Sequence, residues 1–338
     1  MGDGPLATRV DPKVWWEALG GMPRIGGERW AGLDLFSRWL VASRAAVLVM
    51  TLFSCVIAGI FAASAGQMDW LRFALLCVGL TLAHATNNIL NDVSDHKRGV
   101  DRDNAFRTRY GTQPVEEGLM TVGQARWWAL WTSLPALACG ATLSWMVGPA
   151  VIPFFILGIL LVLGYNWPLK HFGLGEPVVV LVWGPLMVGG GYLSVTGDWS
   201  WTVALASIPY ALGPTTVLFG KHTDKIPWDE PRGIRTFPVL VGHTAARHTT
   251  LVLVALQYGL CFFFVASGML SWPVLVVLGA APFLRDLVPI YLKPTPPAPP
   301  REFPDDVWPL WYSAYAFVHC RRFGGLFVLG IAAQAFLV

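Results

Sequence analysis

Polar residues are sparse along this chain and fall in clusters, leaving long apolar stretches between them. An α-helix rises 1.5 Å per residue, so about 20 mostly apolar residues are needed to cross the hydrocarbon core of a bilayer. Windows of that kind predict nine spans, at 45–66, 71–91, 127–147, 150–165, 177–195, 201–218, 249–268, 272–291 and 323–338. Most of them lack the polar face that a helix of a soluble core turns to water. Pro153, Pro185 and Pro209 lie inside spans, which membrane helices tolerate better than soluble ones. The expected fold is an all-α polytopic membrane bundle.

Composition agrees and adds a direction. Of 338 residues, 54% are hydrophobic and 13% charged, against about 25% charged in a soluble domain, and mean hydropathy is +0.52. The formal charge of +3 matters less than where the cations fall. With a cytoplasmic N-terminus, the inside segments are the N-terminal arm and the connections near 92–126, 166–176, 219–248 and 292–322. Of the 24 Lys and Arg residues, 23 lie in or beside those segments, and Arg72 alone falls on the other side. This bias predicts a cell-membrane protein with its N-terminus inside and C-terminus outside. It also suits an anionic ligand or anionic lipid at the cytoplasmic face, and no nucleic-acid partner is expected.

Residues 1–40 read as an arm ahead of a transmembrane domain at 41–338. The arm has no compact apolar core with a small-residue cleavage site, so it is not expected to be a signal peptide. Trp15, Trp16, Trp30 and Trp39 among charges predict an interfacial helix over 14–40. "KPTPPAPPREFPDD" (293–306) reads as a cytoplasmic Pro-rich linker and "VWPLWYSAYAFVHC" (307–320) as an interfacial segment. Cys55, Cys77, Cys139, Cys261 and Cys320 form no CxxC pair and read as small packing residues. Phosphate loops of Walker or Rossmann type are absent, and "GPLMVGGGYL" (184–193) suits close helix packing.

Against this background "NNILNDVSDHKRGVD" (87–101) stands out, because it puts carboxylates at the mouth of an apolar span. A carboxylate at membrane depth costs about 2.5–3.5 kcal/mol on insertion scales and marks function. If the second span continues as a helix, Asn88, Asn91, Asp92 and Asp95 fall at i, i+3, i+4 and i+7, on one face. Asp101 and Asp103 follow, with Lys97, Arg98 and Arg102 between. Hard oxygen ligands grouped so closely suit Mg²⁺, which keeps waters and is usually shared with substrate phosphates.

"GKHTDKIPWDEPRGIRTFPVLVG" (220–242) repeats the arrangement after the sixth span, with Asp224 and Asp229 among Lys221, Lys225, Arg232 and Arg235. Pro227 discourages a regular helix there, so the two carboxylates need not share a face. A charged loop obeying the positive-inside bias explains the basic residues at either place. It does not explain why Asn and Asp begin within the last turns of the second span, nor why the arrangement recurs. Two such clusters on one side suggest a shared site in which two Mg²⁺ ions clamp a diphosphate. A diphosphate head with a hydrocarbon tail fits a cytoplasmic head region with intramembrane walls. Allylic prenyl diphosphates are ligands of this kind, and an aromatic-lined dry chamber would protect the allylic cation.

These residues together resemble the UbiA superfamily of intramembrane prenyltransferases, most closely its 1,4-dihydroxy-2-naphthoate branch, from about residue 38 to the C-terminus. The resemblance rests on "NDVSDHKRGVD", "YNWPLK" (165–170), "GLGEPVVVLVWGP" (173–185) and "RGIRTFPVLVG" (232–242), with a weaker match at "SRAAVL" (43–48). It implies a nine-helix bundle around a central intramembrane cavity. It also implies metal contacts from Asn91, Asp92, Asp95, Asp101, Asp224 and Asp229, with Asn88 in the same constellation. Lys170 is implied as a diphosphate contact, Tyr165 as a residue near the reacting carbon, and Arg44 and Glu176 as substrate contacts. The implied partners are a prenyl diphosphate, an aromatic acceptor and membrane lipid. The second motif departs from the family's Asp-x3-Asp, being Asp224-x4-Asp229, which leaves open whether Asp224 holds a metal alone or with His222.

Several residues carry two readings. His84 is either satisfied by a neighbouring helix or a wall residue of the acceptor pocket. His222 reads better as a solvated loop histidine, Glu176 as either a helix-start carboxylate or an acceptor contact, and Arg232 and Arg235 as diphosphate or lipid contacts. The leading function is Mg²⁺-dependent prenyl transfer to a naphthoate-like acceptor. A terpene cyclase, or transfer to a non-quinone acceptor, would use the same site. A secondary transporter would instead place its charges near the bilayer midplane on broken helices.

Overall fold

The computed structural model describes residues 10–99, 106, 111–304 and 307–337, and among these there is no strand. Three short helices come first, α1 (Pro12–Gly20), α2 (Gly27–Gly32) and α3 (Leu35–Ala42). The bundle follows as α4 (Ala45–Ser64), α5 (Trp70–Lys97), α6 (Val122–Val147), α7 (Ile152–Gly164) and α8 (Gly175–Thr196). Next come α9 (Trp201–Ala206), α10 (Ile208–Asp229), α11 (Phe237–Val241), α12 (His243–Ala266), α13 (Trp272–Leu292) and α14 (Trp311–Leu337). Among the described residues, eight helices are long and apolar enough to cross a membrane, with α9 and α10 acting together as one. The ninth expected span corresponds to the shorter apolar helix Pro149–Gly164. Its 13-residue helical part, α7, has no buried residue.

The packing core lies where α4, α10, α12, α13 and α14 meet, around Ile57, Ala58, Tyr210, Val277, Phe323 and Phe327. Polar groups inside it find partners across helices, as buried groups must. Tyr210 Oη donates to the Met50 carbonyl (2.6 Å), and Tyr258 Oη meets His319 Nε2 at 2.9 Å. Arg72, the cation expected on the far side, forms an ion pair with Asp69 (3.3 Å). It also donates to the carbonyls of Met146 and Val195, near the C-terminal ends of α6 and α8. A cation there answers carbonyls that a helix end leaves unpaired.

The glycine run in α8 does pack closely. A Cβ at Gly189 would lie 2.9 Å from Ala204, at Gly190 2.8 Å from Phe154, and at Gly191 3.0 Å from Leu76. Upstream, Gly184 (φ −102°, ψ −105°) and Pro185 break the helix, and the carbonyl of Trp183 is taken up by Ser54 Oγ at 3.1 Å.

Three expectations change. The arm is not one helix over 14–40 but three. It closes the end of α5 and α6 through a second core of Val14, Ile25, Trp30, Ile89, Val93 and Ala125. Trp15 donates to Ser37 Oγ and Trp39 to Thr132 Oγ1, each at 3.0 Å, while Trp16 stays 76% exposed. Next, the helix containing the second acidic cluster does not stop before it, because α10 runs through Pro227 to Asp229. Proline there removes one backbone bond two residues before the helix ends, so little ladder is lost. Finally, the last helix begins at Trp311, and Trp311 and Tyr312 are buried rather than interfacial.

Candidate functional site

A cavity of about 660 Å³ opens between α5, α6, α7 and α8, with α10 at one end. Its walls are mostly apolar, from Leu76, Gly79, Leu143, Phe154, Phe155 and Gly190 at one end through Leu80, Ile159, Val182 and Trp183. Arg44, Asn87, Asn88, Asn91, Tyr165, Lys170, Lys221 and His222 gather at the other end. From Leu75 to Asn91 along α5 is roughly 24 Å at the α-helical rise. The result is an apolar slot with one polar end.

The helix α5 continues through the first acidic cluster, as its spacing predicts, and Asn88, Asn91, Asp92 and Asp95 are all buried. Asn91 Nδ2 donates to Asp95 Oδ2 (3.0 Å), and Lys170 Nζ lies 3.2 and 3.3 Å from the two Asp95 oxygens. Lys170 is carried there by a short 3₁₀ turn, Leu169–Phe172, between α7 and α8, where its amide donates to the Tyr165 carbonyl. Asp92 accepts from the Val115 amide at 3.0 Å, fixing the connection to α6. Asn88 donates to the Ser43 carbonyl at 2.8 Å, next to Arg44, whose φ of 54° is unusual for a non-glycine residue. One buried nitrogen of Arg44, Nη2, has no hydrogen-bond partner. Lys97 and Arg98 are exposed, and the Arg98 guanidinium stacks 3.8 Å over Trp167. Asp101, Arg102 and Asp103 lie outside the described residues.

The second cluster has a different geometry. Asp224 accepts from the amides of Tyr312 (2.9 Å) and Ser313 (3.0 Å) and from Ser313 Oγ (2.8 Å). Both of its oxygens therefore hold the N-terminal turn of α14. Asp229 is buried against Lys225, with Nζ 2.9 Å from Oδ1. His222 is a buried helical residue, not a solvated one, and its Nδ1 meets Glu176 Oε1 at 2.5 Å. The other Glu176 oxygen, also buried, has no hydrogen-bond partner. Lys221 lines the cavity, whereas Arg232 and Arg235 are exposed. His84 fits both of its readings, since Nδ1 meets Thr51 Oγ1 at 2.8 Å and the ring lines the cavity.

The donor set Asn91, Asp92 and Asp95 is hard oxygen throughout, on successive turns of one helix, and fits Mg²⁺. Among the described residues, no three His, Cys, Asp or Glu side chains converge into a metal cage. An ion that shares its coordination shell with water and a diphosphate needs none.

Sequence reasoning placed Lys225 in the second cluster without giving it a role, and it missed Asn87. Lys225 was visible four residues before Asp229, the spacing of a helical ion pair, once Pro227 is allowed inside a helix. Asn87, which lines the cavity and donates to the Val162 carbonyl at 3.0 Å, carried no signal beyond its place beside Asn88.

The UbiA prenyltransferase family model matches residues 52–303. The UbiA prenyltransferase domain-containing protein 1 homolog of Drosophila melanogaster is 26% identical over 201 residues, 59% of this chain and 56% of that protein. The 1,4-dihydroxy-2-naphthoate octaprenyltransferase of Haemophilus influenzae is 26% identical over 226 residues, 62% of this chain and 70% of that one. The chain thus spans little more than half the length of the first of these relatives. A UbiA homolog from Archaeoglobus fulgidus, solved with GPP and Mg²⁺, has the same fold, with a TM-score of 0.50 at 16% identity over 83% of this chain and 97% of that one. With a family match across most of its length and the fold to go with it, the chain belongs to the UbiA prenyltransferase family.

Proposed function

We propose that the protein transfers a polyprenyl group from a prenyl diphosphate to an aromatic acceptor of the 1,4-dihydroxy-2-naphthoate type, with Mg²⁺ as cofactor. The observation that carries this reading is the apolar slot ending in Asn91, Lys170 and Lys221, with buried Asp95 bonded to two of that group. The tail lies along α5 and α8. Asn91, Asp92 and Asp95 would hold the metal, and the motif they belong to in the sequence continues to Asp101. Bound Mg²⁺ neutralises charge that builds up on the leaving diphosphate. Lys170 and Lys221 bring fixed cations to the same oxygens, and Arg44 adds a third from the start of α4. The walls keep water from an allylic cation, and the ring faces of Tyr165 and Trp183 stabilise it. Exposed Lys97, Arg98, Arg232 and Arg235 on the head side would draw anionic diphosphate from a cytoplasmic face, which accords with an N-terminus inside. The naphthoate-type acceptor is supported by the named activity of the Haemophilus influenzae relative, and Mg²⁺ by the ligands of the Archaeoglobus fulgidus structure.

The test uses purified protein in nanodiscs with geranylgeranyl diphosphate, with and without 1,4-dihydroxy-2-naphthoate, in Mg²⁺ or EDTA. Prenylated product that needs Mg²⁺ and is lost in Asp95→Asn is the expected result. Diphosphate release that ignores the naphthoate would assign the site to a cyclase or another acceptor. No release with any prenyl diphosphate would end the reading.

A further inference from the structure

We infer that this site takes one divalent metal ion with its diphosphate, and that the ammonium of Lys225 stands where a second ion would bind. The inference rests on the metal–diphosphate reading above.

Three observations carry it. Counting back four residues from Asp229, where an Asp-x3-Asp pair would place its first carboxylate, gives Lys225. The two side chains are 1% and 0% exposed and 2.9 Å apart. A buried carboxylate must be compensated, and removing its partner leaves an isolated charge that costs several kcal/mol. Lys225 is not among the residues that line the cavity, so its ammonium, unlike that of Lys170, is not placed to turn from its carboxylate to a diphosphate there.

The other carboxylate, Asp224, lies five residues before Asp229, so roughly 140° separates them around α10 at 3.6 residues per turn. It cannot join Asp229 on one ion, and its two oxygens are already taken by the amides of Tyr312 and Ser313 and by the Ser313 hydroxyl. Finally, what α10 contributes to the polar end of the cavity is Leu218, Lys221 and His222. Its two carboxylates are not among the lining residues, whereas Asp95 bonds directly to Asn91 and Lys170, which are. The first cluster is the metal cluster, and the second has been converted to protein-borne positive charge and helix anchoring.

The experiment counts metal ions rather than turnover. The full chain in nanodiscs is saturated with geranylgeranyl S-thiolodiphosphate, whose C–S bond resists ionisation, and titrated with Mn²⁺ while free ion is followed by electron paramagnetic resonance. One Mn²⁺ per chain is expected, lost in Asp95→Asn. The count is expected to be unchanged when Lys225→Met and Asp229→Asn are combined, which removes both members of the ion pair. In Lys225→Asp a second Mn²⁺ is expected. Two Mn²⁺ ions in the unaltered protein would overturn the inference, as would one ion that survives Asp95→Asn but vanishes in the Lys225/Asp229 pair. Analogue that binds with no Mn²⁺ at all would overturn the metal–diphosphate reading itself, and this inference with it.

Discussion

Asp95 and Asp224 are both buried aspartates near the end of a membrane helix, and their partners give them different work. Asp95 faces Lys170 and Asn91, side chains that can turn to a ligand. Asp224 faces two backbone amides and a hydroxyl at the start of α14, none of which can leave. Replacing Lys170 by Met is expected to lower kcat/KM for the prenyl diphosphate about tenfold to a hundredfold, the value of a charge-assisted hydrogen bond. The protein should still fold, but with a lowered thermal transition, because Asp95 loses its buried cation. Asp224→Ala should lower stability by about 2–3 kcal/mol through a lost cap and unpaired buried donors. Thermal unfolding in detergent checks this, and Asp224→Asn, which keeps one acceptor, should fall between. If Asp224→Ala left the transition in place while abolishing Mn²⁺ binding, its anchoring role would be refuted.

At the scale of elements, α5 was legible because a single periodicity governs it. Apolar positions run into Asn88, Asn91, Asp92 and Asp95 without a turn signal, and the structure continues the helix to Lys97. The end of α10 was not legible, because Pro227 reads locally as a helix stop and only packing around it shows otherwise. The start of α14 was hidden for a related reason, since Trp311 and Tyr312 look interfacial until Asp224, nearly ninety residues earlier, is found capping them. The arm was obscured in the same way. Trp15, Trp30 and Trp39 belong to a core completed by α5 and α6, and Trp16 alone of the four stays outside it. That core is pinned at Asp34, which caps α3 through the amides of Phe36 and Ser37, both at 3.0 Å, and is also bonded by the Ser37 hydroxyl. Burial pushes the Asp34 carboxyl up, but the Ser37, Asp11 and Phe36 bonds outweigh it and hold it below its usual 3.8. A carboxyl held low stabilises above its ordinary value and loses that contribution as pH falls through the folded one. Pepsin should therefore cut the arm increasingly as pH drops below about 4. Asp34→Ala should make the arm sensitive to trypsin at neutral pH, and an arm equally resistant in both would show that the cap does not hold it.

For the molecule as a whole, the proposed function makes the length of the cavity a limit on the length of the tail. Its far end is set by glycines of α8 against Phe154 and Leu76, where even a methyl group would approach to 2.8–3.0 Å. Gly190→Leu should push the Phe154 ring into that end and raise KM for geranylgeranyl diphosphate several-fold more than for geranyl diphosphate. Steady-state kinetics with the two donors decides, and equal losses would mean that the tail does not reach α8. Both ends of the slot depend on helices that meet only in the finished bundle, which is why the two motifs could be recognised in the sequence while their unequal roles could not.

The contact between Asp224 and α14 has a consequence for how the protein is made. The donors that satisfy this carboxylate lie 88 and 89 residues downstream, so α10 leaves the ribosome long before they exist. A carboxylate lodged in the bilayer without them costs about 2.5–3.5 kcal/mol. The nascent chain must therefore carry α10 as an unfinished segment until nearly the last helix has been synthesised. A message truncated between the codons for Asp224 and Trp311 would release a product with that carboxylate uncapped in the membrane, a mark by which quality-control proteases could tell a shortened chain from a complete one.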